Sequence, residues 1–150
     1  MDTPNPMPEP KQPVHPARWN GEVVFDAVDF CYQPDLPLLQ GLSFRVEAGQ
    51  TVGIAGPTGG GKTTLIKLLL RFYDVTGGRI TLDGHDLRSF RIRDLRRQIA
   101  LVSQDVYLFH GTIYENIAYG IDIPSPEAVF HAAQKAELHE FITGLPMGYD

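Results

Sequence analysis

A short run that combines four glycines with a lysine and a threonine constrains this chain more than any other feature. Its residues are Gly56-Pro57-Thr58-Gly59-Gly60-Gly61-Lys62-Thr63, which fit the spacing Gly, four residues, Gly, Lys, Ser or Thr. Because glycine has no Cβ atom, successive backbone N–H groups can converge on an anion. Lys62 can then contact the β- and γ-phosphates of a nucleotide, and the Thr63 hydroxyl can complete the coordination of Mg²⁺. The run therefore predicts a phosphate-binding loop.

The segments on either side of this loop suit that prediction. Residues 51–55 are mostly apolar and predict a buried parallel strand, and residues 64–72 lack Pro and Gly and predict a buried helix. The N-terminus of that helix, beginning at Thr64, would direct its positive dipole end at the same phosphates. The alternative is a flexible glycine turn, but ordering four glycines would cost about 2–4 kcal/mol relative to alanine. A dinucleotide-binding motif would need glycine in place of Thr64 and has no use for Lys62.

Composition limits the class of protein. The chain has 150 residues, which suits one domain of ordinary size, and its net charge of −5 argues against an unspecific nucleic-acid binder. Cys31 is the single cysteine, so an intrachain disulfide is impossible. No apolar run approaches the roughly 20 residues of a membrane helix, and residues 1–20 lack the apolar stretch of a signal peptide. We expect a soluble chain, or one held at a membrane by a partner.

The rest of the chain divides into a Pro-rich tail and a domain. Residues 1–20 contain six prolines and predict a flexible linker, with a Pro-rich ligand for a recognition domain as the alternative. Residues 21–150 form the predicted domain. Alternating apolar residues predict antiparallel strands at 22–32 and 42–46. The further predictions are a strand at 79–82 turning at Asp83-Gly84, a basic helix at 92–97, an apolar strand at 99–102, and helices beginning near Thr112 and Ser125.

Several ordered blocks between Glu22 and the last residue resemble the nucleotide-binding domain of ATP-binding cassette (ABC) transporters of the exporter type. Besides the phosphate loop, they are Val28-Asp29-Phe30-Cys31-Tyr32, Leu38-Leu39-Gln40-Gly41-Leu42-Ser43-Phe44, Leu70-Arg71-Phe72-Tyr73-Asp74, Ile80-Thr81-Leu82-Asp83-Gly84, Val102-Ser103-Gln104-Asp105, Leu108-Phe109-His110-Gly111-Thr112-Ile113 and Glu115-Asn116-Ile117-Ala118-Tyr119-Gly120. The resemblance implies an α/β P-loop NTPase (RecA-like) core with an antiparallel β-subdomain and the start of a helical subdomain.

The resemblance also implies roles for individual residues. Tyr32 matches the aromatic residue on which adenine stacks, and an ordinary strand aromatic is the alternative. Gln104 matches the glutamine that contacts Mg²⁺ and the attacking water, and an ordinary loop residue is the alternative. The region from Tyr107 to Thr112 resembles the surface that docks the membrane domain. The implied ligands are ATP and Mg²⁺, and the implied partners are a transmembrane domain and a second nucleotide-binding domain at the cytoplasmic face of a membrane.

The motifs that this family uses for hydrolysis do not occur in these 150 residues. They are the Walker B aspartate with its following glutamate, the Leu-Ser-Gly-Gly-Gln signature and a switch histidine. Asp83 follows an apolar strand but precedes Gly84, so we interpret it as a turn residue, and Asp105 belongs to the block of Gln104. We expect a truncated domain with open edges at its central strands and negligible hydrolysis by this segment alone.

The sequence leaves three candidate functions. The first is the ATP-binding part of a transport ATPase, which works only in a full assembly. The second is a module that binds nucleotide or a partner without hydrolysis. The third is another P-loop enzyme, such as a small-molecule kinase, which the blocks on both sides of the loop disfavour.

Overall fold

A computed structural model describes residues 7–150, which form two compact units on either side of the bond between Leu101 and Val102. The linker predicted at residues 1–20 falls partly on residues 1–6, including Pro4 and Pro6, which lie outside the described residues. Residues 7–20 have no helix or strand but contact the first unit: the Val14 N–H donates to the Ser89 carbonyl at 2.9 Å. The domain boundary at residue 20 stays a prediction.

The first unit is built on a four-stranded antiparallel sheet. Its strands are β1 (Val23–Gln33), β2 (Leu36–Val46), β3 (Gly77–Leu82) and β4 (His85–Asp86), in the order β2-β1-β3-β4. Phe25 of β1 lies opposite Phe44 of β2, and their rings stack with centroids 4.5 Å apart. This aromatic pair stabilises the register of the two strands. The predicted antiparallel strands are confirmed, as is the turn between β3 and β4.

Helix α1 (Lys62–Leu69) follows the glycine loop and buries Thr64, Leu65 and Leu68. A 3₁₀ turn (Leu87–Ser89) and helix α2 (Ile92–Arg96) complete the unit. These elements and the sheet share one apolar core, which has the following buried members: Phe25, Val28, Phe30, Leu39, Leu65, Leu68, Ile80, Leu82, Leu87, Phe90 and Leu95. Both helix predictions, at 64–72 and 92–97, are confirmed within a few residues at their ends.

Two strand predictions are wrong for this structure. Residues 51–55 and 99–102 belong to no strand, and apolar side chains that we expected to be buried are exposed. Val52 is 43% exposed and Val102 is 97% exposed. An apolar run becomes a strand only when its backbone pairs with a neighbour. Among residues 7–150, the four strands of the sheet pair with one another and not with these two runs.

The second unit contains three helices: α3 (Ile113–Ile117), α4 (Pro126–Lys135) and α5 (His139–Thr143). The Thr112 hydroxyl accepts from the Glu115 N–H while the Glu115 carboxylate accepts from the Thr112 N–H, so the predicted capping box is confirmed. Ser125 caps α4 with its side chain, which accepts from the Ala128 N–H. The apolar stripe of α4 buries Val129 and Ala133.

Candidate functional site

The glycine loop turns sharply into helix α1 through backbone conformations that favour glycine. Gly59 and Gly61 both have φ of +83°, and the Gly60 N–H donates to the Pro57 carbonyl at 3.1 Å. A Cβ added to Gly61 would also lie 3.1 Å from Leu39 Cδ2. The loop conformation therefore depends on glycine at residue 61 for two reasons, the left-handed backbone and the close approach of the β2 side chain.

The N-terminus of α1 is left without any side-chain cap. Gly61 occupies the capping position, and the first turn of the helix contains no acidic residue. The first helical bond at this end is donated by the Leu65 N–H to the Gly61 carbonyl at 3.1 Å, so the N–H groups of residues 62–64 precede the helical ladder. These donors and the helix dipole create a positive end, which suits an anion.

Lys62 closes the loop with its ammonium group. Its Nζ donates to the carbonyls of Gly56 and Pro57, each at 2.8 Å. These two bonds hold the charge of Lys62 against the loop. Because an ammonium has three N–H donors, the third is left for a ligand. The next side chain, Thr63, is exposed at the start of α1. The loop thus combines backbone donors, one cation and one exposed hydroxyl, a donor set that fits a polyphosphate with its Mg²⁺.

Tyr32 lies beside this loop, although 32 residues separate it from Thr64 in the sequence. It is carried by the irregular end of β1, where the register with β2 shifts on both sides of Cys31. The Tyr32 hydroxyl and Thr64 Oγ1 share a hydrogen bond of 3.1 Å. The ring is 47% exposed, whereas Thr64 is only 5% exposed. The structure therefore brings Tyr32 together with the predicted phosphate loop, and the buried Thr64 side chain faces Tyr32.

Gln104 lies in an exposed bend of the second unit. The parallel strand that was expected to end before it is not formed, so the argument that placed its amide at the end of a strand does not hold in this structure. Its catalytic and Mg²⁺-contacting role stays a prediction.

The region from Tyr107 to Thr112 is exposed, as a docking surface requires. Tyr107 is 80% exposed and Leu108 is 74% exposed. Asn116 holds this segment, because its side chain accepts from the Phe109 N–H at 2.8 Å and donates to the Phe109 carbonyl at 3.0 Å. Within the second unit, an open apolar groove is lined by Leu108, Phe109, Ile113, Ile117, Phe141 and Ile142.

The sequence analysis missed the arginines that anchor the end of α1. Arg71 follows the helix with φ of +52° and is 1% exposed. Its guanidinium donates to the Asp74 carboxylate at 2.9 Å and to the carbonyls of Phe90 and Pro8 at 3.2 and 2.8 Å. The sequence carries no signal for the two carbonyl bonds, because only folding brings Phe90 and Pro8 to Arg71.

Arg96, in the basic helix predicted at 92–97, binds the end of α1. Its guanidinium donates to the carbonyls of Leu70 and Arg71 at 2.9 and 3.1 Å, and lies 4.4 Å from the ring centre of Phe72. Burial, followed by the positive charge of Arg71, lowers the pKa of Arg96 below its ordinary value. This arginine supports the helix that follows the phosphate loop.

Asp83 is a turn residue, as predicted. Its carboxylate accepts N–H bonds from Asn20, Gly21 and Glu22 at 2.8, 3.0 and 2.9 Å. Partial burial raises the pKa of this carboxyl, but the three N–H donors outweigh burial and hold the pKa below its ordinary value. The aspartate thus joins the start of β1 to the turn after β3.

Residues 7–150 lack two features. No group of three or more His, Cys, Asp or Glu side chains is arranged to hold a metal ion. None of the helices in this part of the chain has the length and apolar character needed to cross a bilayer.

The chain is similar to several known proteins. A model of the ABC transporter family matches residues 39–149. A fatty acid ABC transporter ATP-binding/permease protein of Mycobacterium tuberculosis is 45% identical over 149 residues, covering 99% of this chain and 23% of the relative. An ATP-dependent lipid A-core flippase of Syntrophus aciditrophicus is 46% identical over 123 residues, covering 82% and 20%. The structure of a bacterial Atm1-family ABC exporter with ATP bound is similar with a TM-score of 0.86 and 45% identity, over 94% of this chain and 25% of that one. The chain spans about a quarter or less of these relatives.

Proposed function

Because the chain belongs to the ABC transporter family, we propose that residues 56–64 bind the triphosphate of ATP together with Mg²⁺, as the nucleotide-binding part of an exporter. The predicted P-loop NTPase fold, with its antiparallel sheet, is confirmed by the family match and by the likeness to the exporter structure. The observation that carries the proposed function is the arrangement of Lys62. Its ammonium lies across a glycine loop whose helix has no capping side chain.

Each part of the loop has a role in this proposal. The N–H groups of residues 58, 59 and 61–64 donate to phosphate oxygens, while the Gly60 N–H holds the loop through the Pro57 carbonyl. Lys62 adds a charge-assisted bond through its third donor. Thr63 supplies one hydroxyl ligand to Mg²⁺, which neutralises charge on the β- and γ-phosphates when it is bound. Pro57 and Gly56 hold the lysine through their carbonyls. Thr64 contributes its N–H group, since its side chain is buried against Tyr32.

The adenine is proposed to stack on Tyr32. The ring is half exposed at the edge of the first unit, and its hydroxyl is bound to the helix that follows the phosphate loop. A flat aromatic face binds a base with little side-chain entropy to lose. Both ends of the nucleotide would then contact the same unit.

The remaining roles concern a larger assembly. We propose that the exposed segment from Tyr107 to Thr112 docks a transmembrane domain, and that a second nucleotide-binding domain completes the ATP site. Gln104 would contact Mg²⁺ and the attacking water there. Such an assembly lies at the cytoplasmic face of a membrane, and ATP binding drives its transport. The apolar groove of the second unit supports the docking role, because it offers a concave apolar surface beside Leu108.

Residues 1–150 alone are proposed to bind Mg-ATP with little turnover, because the family's catalytic acid, signature and switch histidine do not occur in this segment. The alternative is a module that binds nucleotide or a partner and never hydrolyses. Phosphate release, measured first on this polypeptide alone and then after mixing with an intact exporter of the family, distinguishes these two functions. Steady release by the polypeptide alone would contradict the assignment of catalysis to the larger assembly.

Thermal unfolding tests nucleotide binding directly. Saturating Mg-ATP should raise the melting temperature, since a hundredfold excess over Kd stabilises a folded chain by about 2.7 kcal/mol. AMP at the same concentration should have a much smaller effect, because the site is built for the β- and γ-phosphates. Equal stabilisation by AMP and ATP, or none by either, would contradict the proposed function.

A further inference from the structure

The side-chain hydroxyls of Tyr32 and Thr64 share a hydrogen bond that the proposed ATP site does not itself require. The two oxygens are 3.1 Å apart, and either hydroxyl can donate. Thr64 is 5% exposed, so this bond is shielded from water on the side of the helix. It connects the irregular end of β1 to the first turn of α1, two elements far apart in the sequence.

The other contacts of the Tyr32 ring restrict it without fixing its hydroxyl end. Phe30, which is 3% exposed, meets the ring at 85° with centroids 4.9 Å apart. Tyr73 meets it at 88° and 5.1 Å, and Lys67 Nζ lies 5.8 Å from its centre. These contacts are made to the body of the ring, whereas the hydrogen bond to Thr64 is made by its hydroxyl.

We propose that the Thr64 hydroxyl is a positioning group that holds the Tyr32 ring at a set distance from the phosphate loop. The inference rests on the proposed function, in which the base stacks on Tyr32. A nucleotide has a limited length between base and triphosphate, so the stacking ring and the loop must be in register. Thr64 follows Lys62 and Thr63 directly, and therefore one rigid helical turn carries both the phosphate contacts and the anchor of the ring. Pre-ordering the ring lowers the entropy cost of binding the base.

The test compares Mg-ATP with Mg-tripolyphosphate, which has the phosphates but no base, by calorimetry on the 150-residue chain. Thr64→Val removes the hydroxyl and keeps the side-chain volume, and Tyr32→Phe removes the same bond from the exposed side. Each should weaken ATP binding about two- to tenfold, the effect of one hydrogen bond, and weaken tripolyphosphate binding by a clearly smaller factor. The double variant should bind ATP no more weakly than the weaker-binding single variant, because both changes break the same hydrogen bond. Thr64→Ser keeps the hydroxyl and should recover most of the ATP affinity that Thr64→Val loses.

Three results would overturn the inference while leaving ATP binding in place. They are unchanged ATP affinity in both single variants, equal loss of ATP and tripolyphosphate binding in Thr64→Val, and additive losses in the double variant. The second result would show that the hydroxyl acts on phosphate. Failure of the unmodified chain to bind either probe would instead contradict the proposed function. If Thr64→Val does not fold, Tyr32→Phe carries the same test from a half-exposed position.

Discussion

Replacement of Lys62 by alanine should weaken Mg-ATP binding about 10- to 150-fold, which corresponds to the loss of one charge-assisted hydrogen bond of about 1.5–3 kcal/mol. The structure favours the upper part of this range. Lys62 Nζ also bonds the carbonyls of Gly56 and Pro57, each at 2.8 Å, so its removal loosens the loop that the nucleotide must then order. The loop is exposed, and the free energy of unfolding should therefore change little.

Calorimetry with Mg-ATP and Mg-tripolyphosphate measures this effect, and both ligands should lose affinity by a similar factor because Lys62 acts on phosphate. Lys67→Ala is the matched control, since it removes the same charge from an exposed position of α1, 5.8 Å from the Tyr32 ring centre. It should weaken ATP binding less than about fivefold, as expected for one exposed cation–π contact. Equal ATP affinities of Lys62→Ala and the original chain would refute the assignment of the site.

Three further changes test the structure around the loop. Gly61→Ala should destabilise the chain by about 1–2 kcal/mol and weaken ATP binding, because the backbone of Gly61 is left-handed and a Cβ there would crowd Leu39. The control is Gly53→Ala, which should be nearly neutral in thermal melts, because Gly53 has open space around it. Asp83→Asn should lower stability by about 1 kcal/mol at pH 7, and this difference should shrink as the pH falls below about 4. The reason is that a carboxyl with a lowered pKa stabilises the fold above its ordinary pKa and loses this contribution as the pH falls through the lowered one. A difference in urea titrations that stays constant from pH 7 into the acidic range would contradict this. Thr112→Ala should destabilise the second unit by about 1 kcal/mol through loss of the capping box, and Thr112→Ser should keep the capping box and the stability. Equal helix signals in circular dichroism melts of the two variants would argue against a capping contribution.

Features that depend on neighbouring residues were predicted well. The glycine loop before α1, the start of that helix, the turn at Asp83-Gly84 and the capping box at Thr112 all follow from local backbone preferences and side-chain bonds over a few residues. The antiparallel strands β1 and β2 were also predicted, because alternation marks strands that bury one face.

Features that depend on distant partners were predicted poorly. The runs at 51–55 and 99–102 have the composition of buried strands, but composition does not supply the backbone partner that a strand needs. Arg71 and Arg96 were not recognised as anchors of α1, since the carbonyls that they bind are defined only after the chain folds. A charged side chain in a basic run looks the same in the sequence whether it faces water or a helix end.

The amino-acid sequence by itself identified the family and predicted a phosphate-binding loop, because glycine, lysine and threonine at fixed spacing carry their chemistry on a few consecutive residues. Only the tertiary structure placed Tyr32 beside that loop and bound its hydroxyl to Thr64. That contact joins a strand end to a helix start 32 residues later, and its geometry depends on how the sheet and α1 pack around their common core.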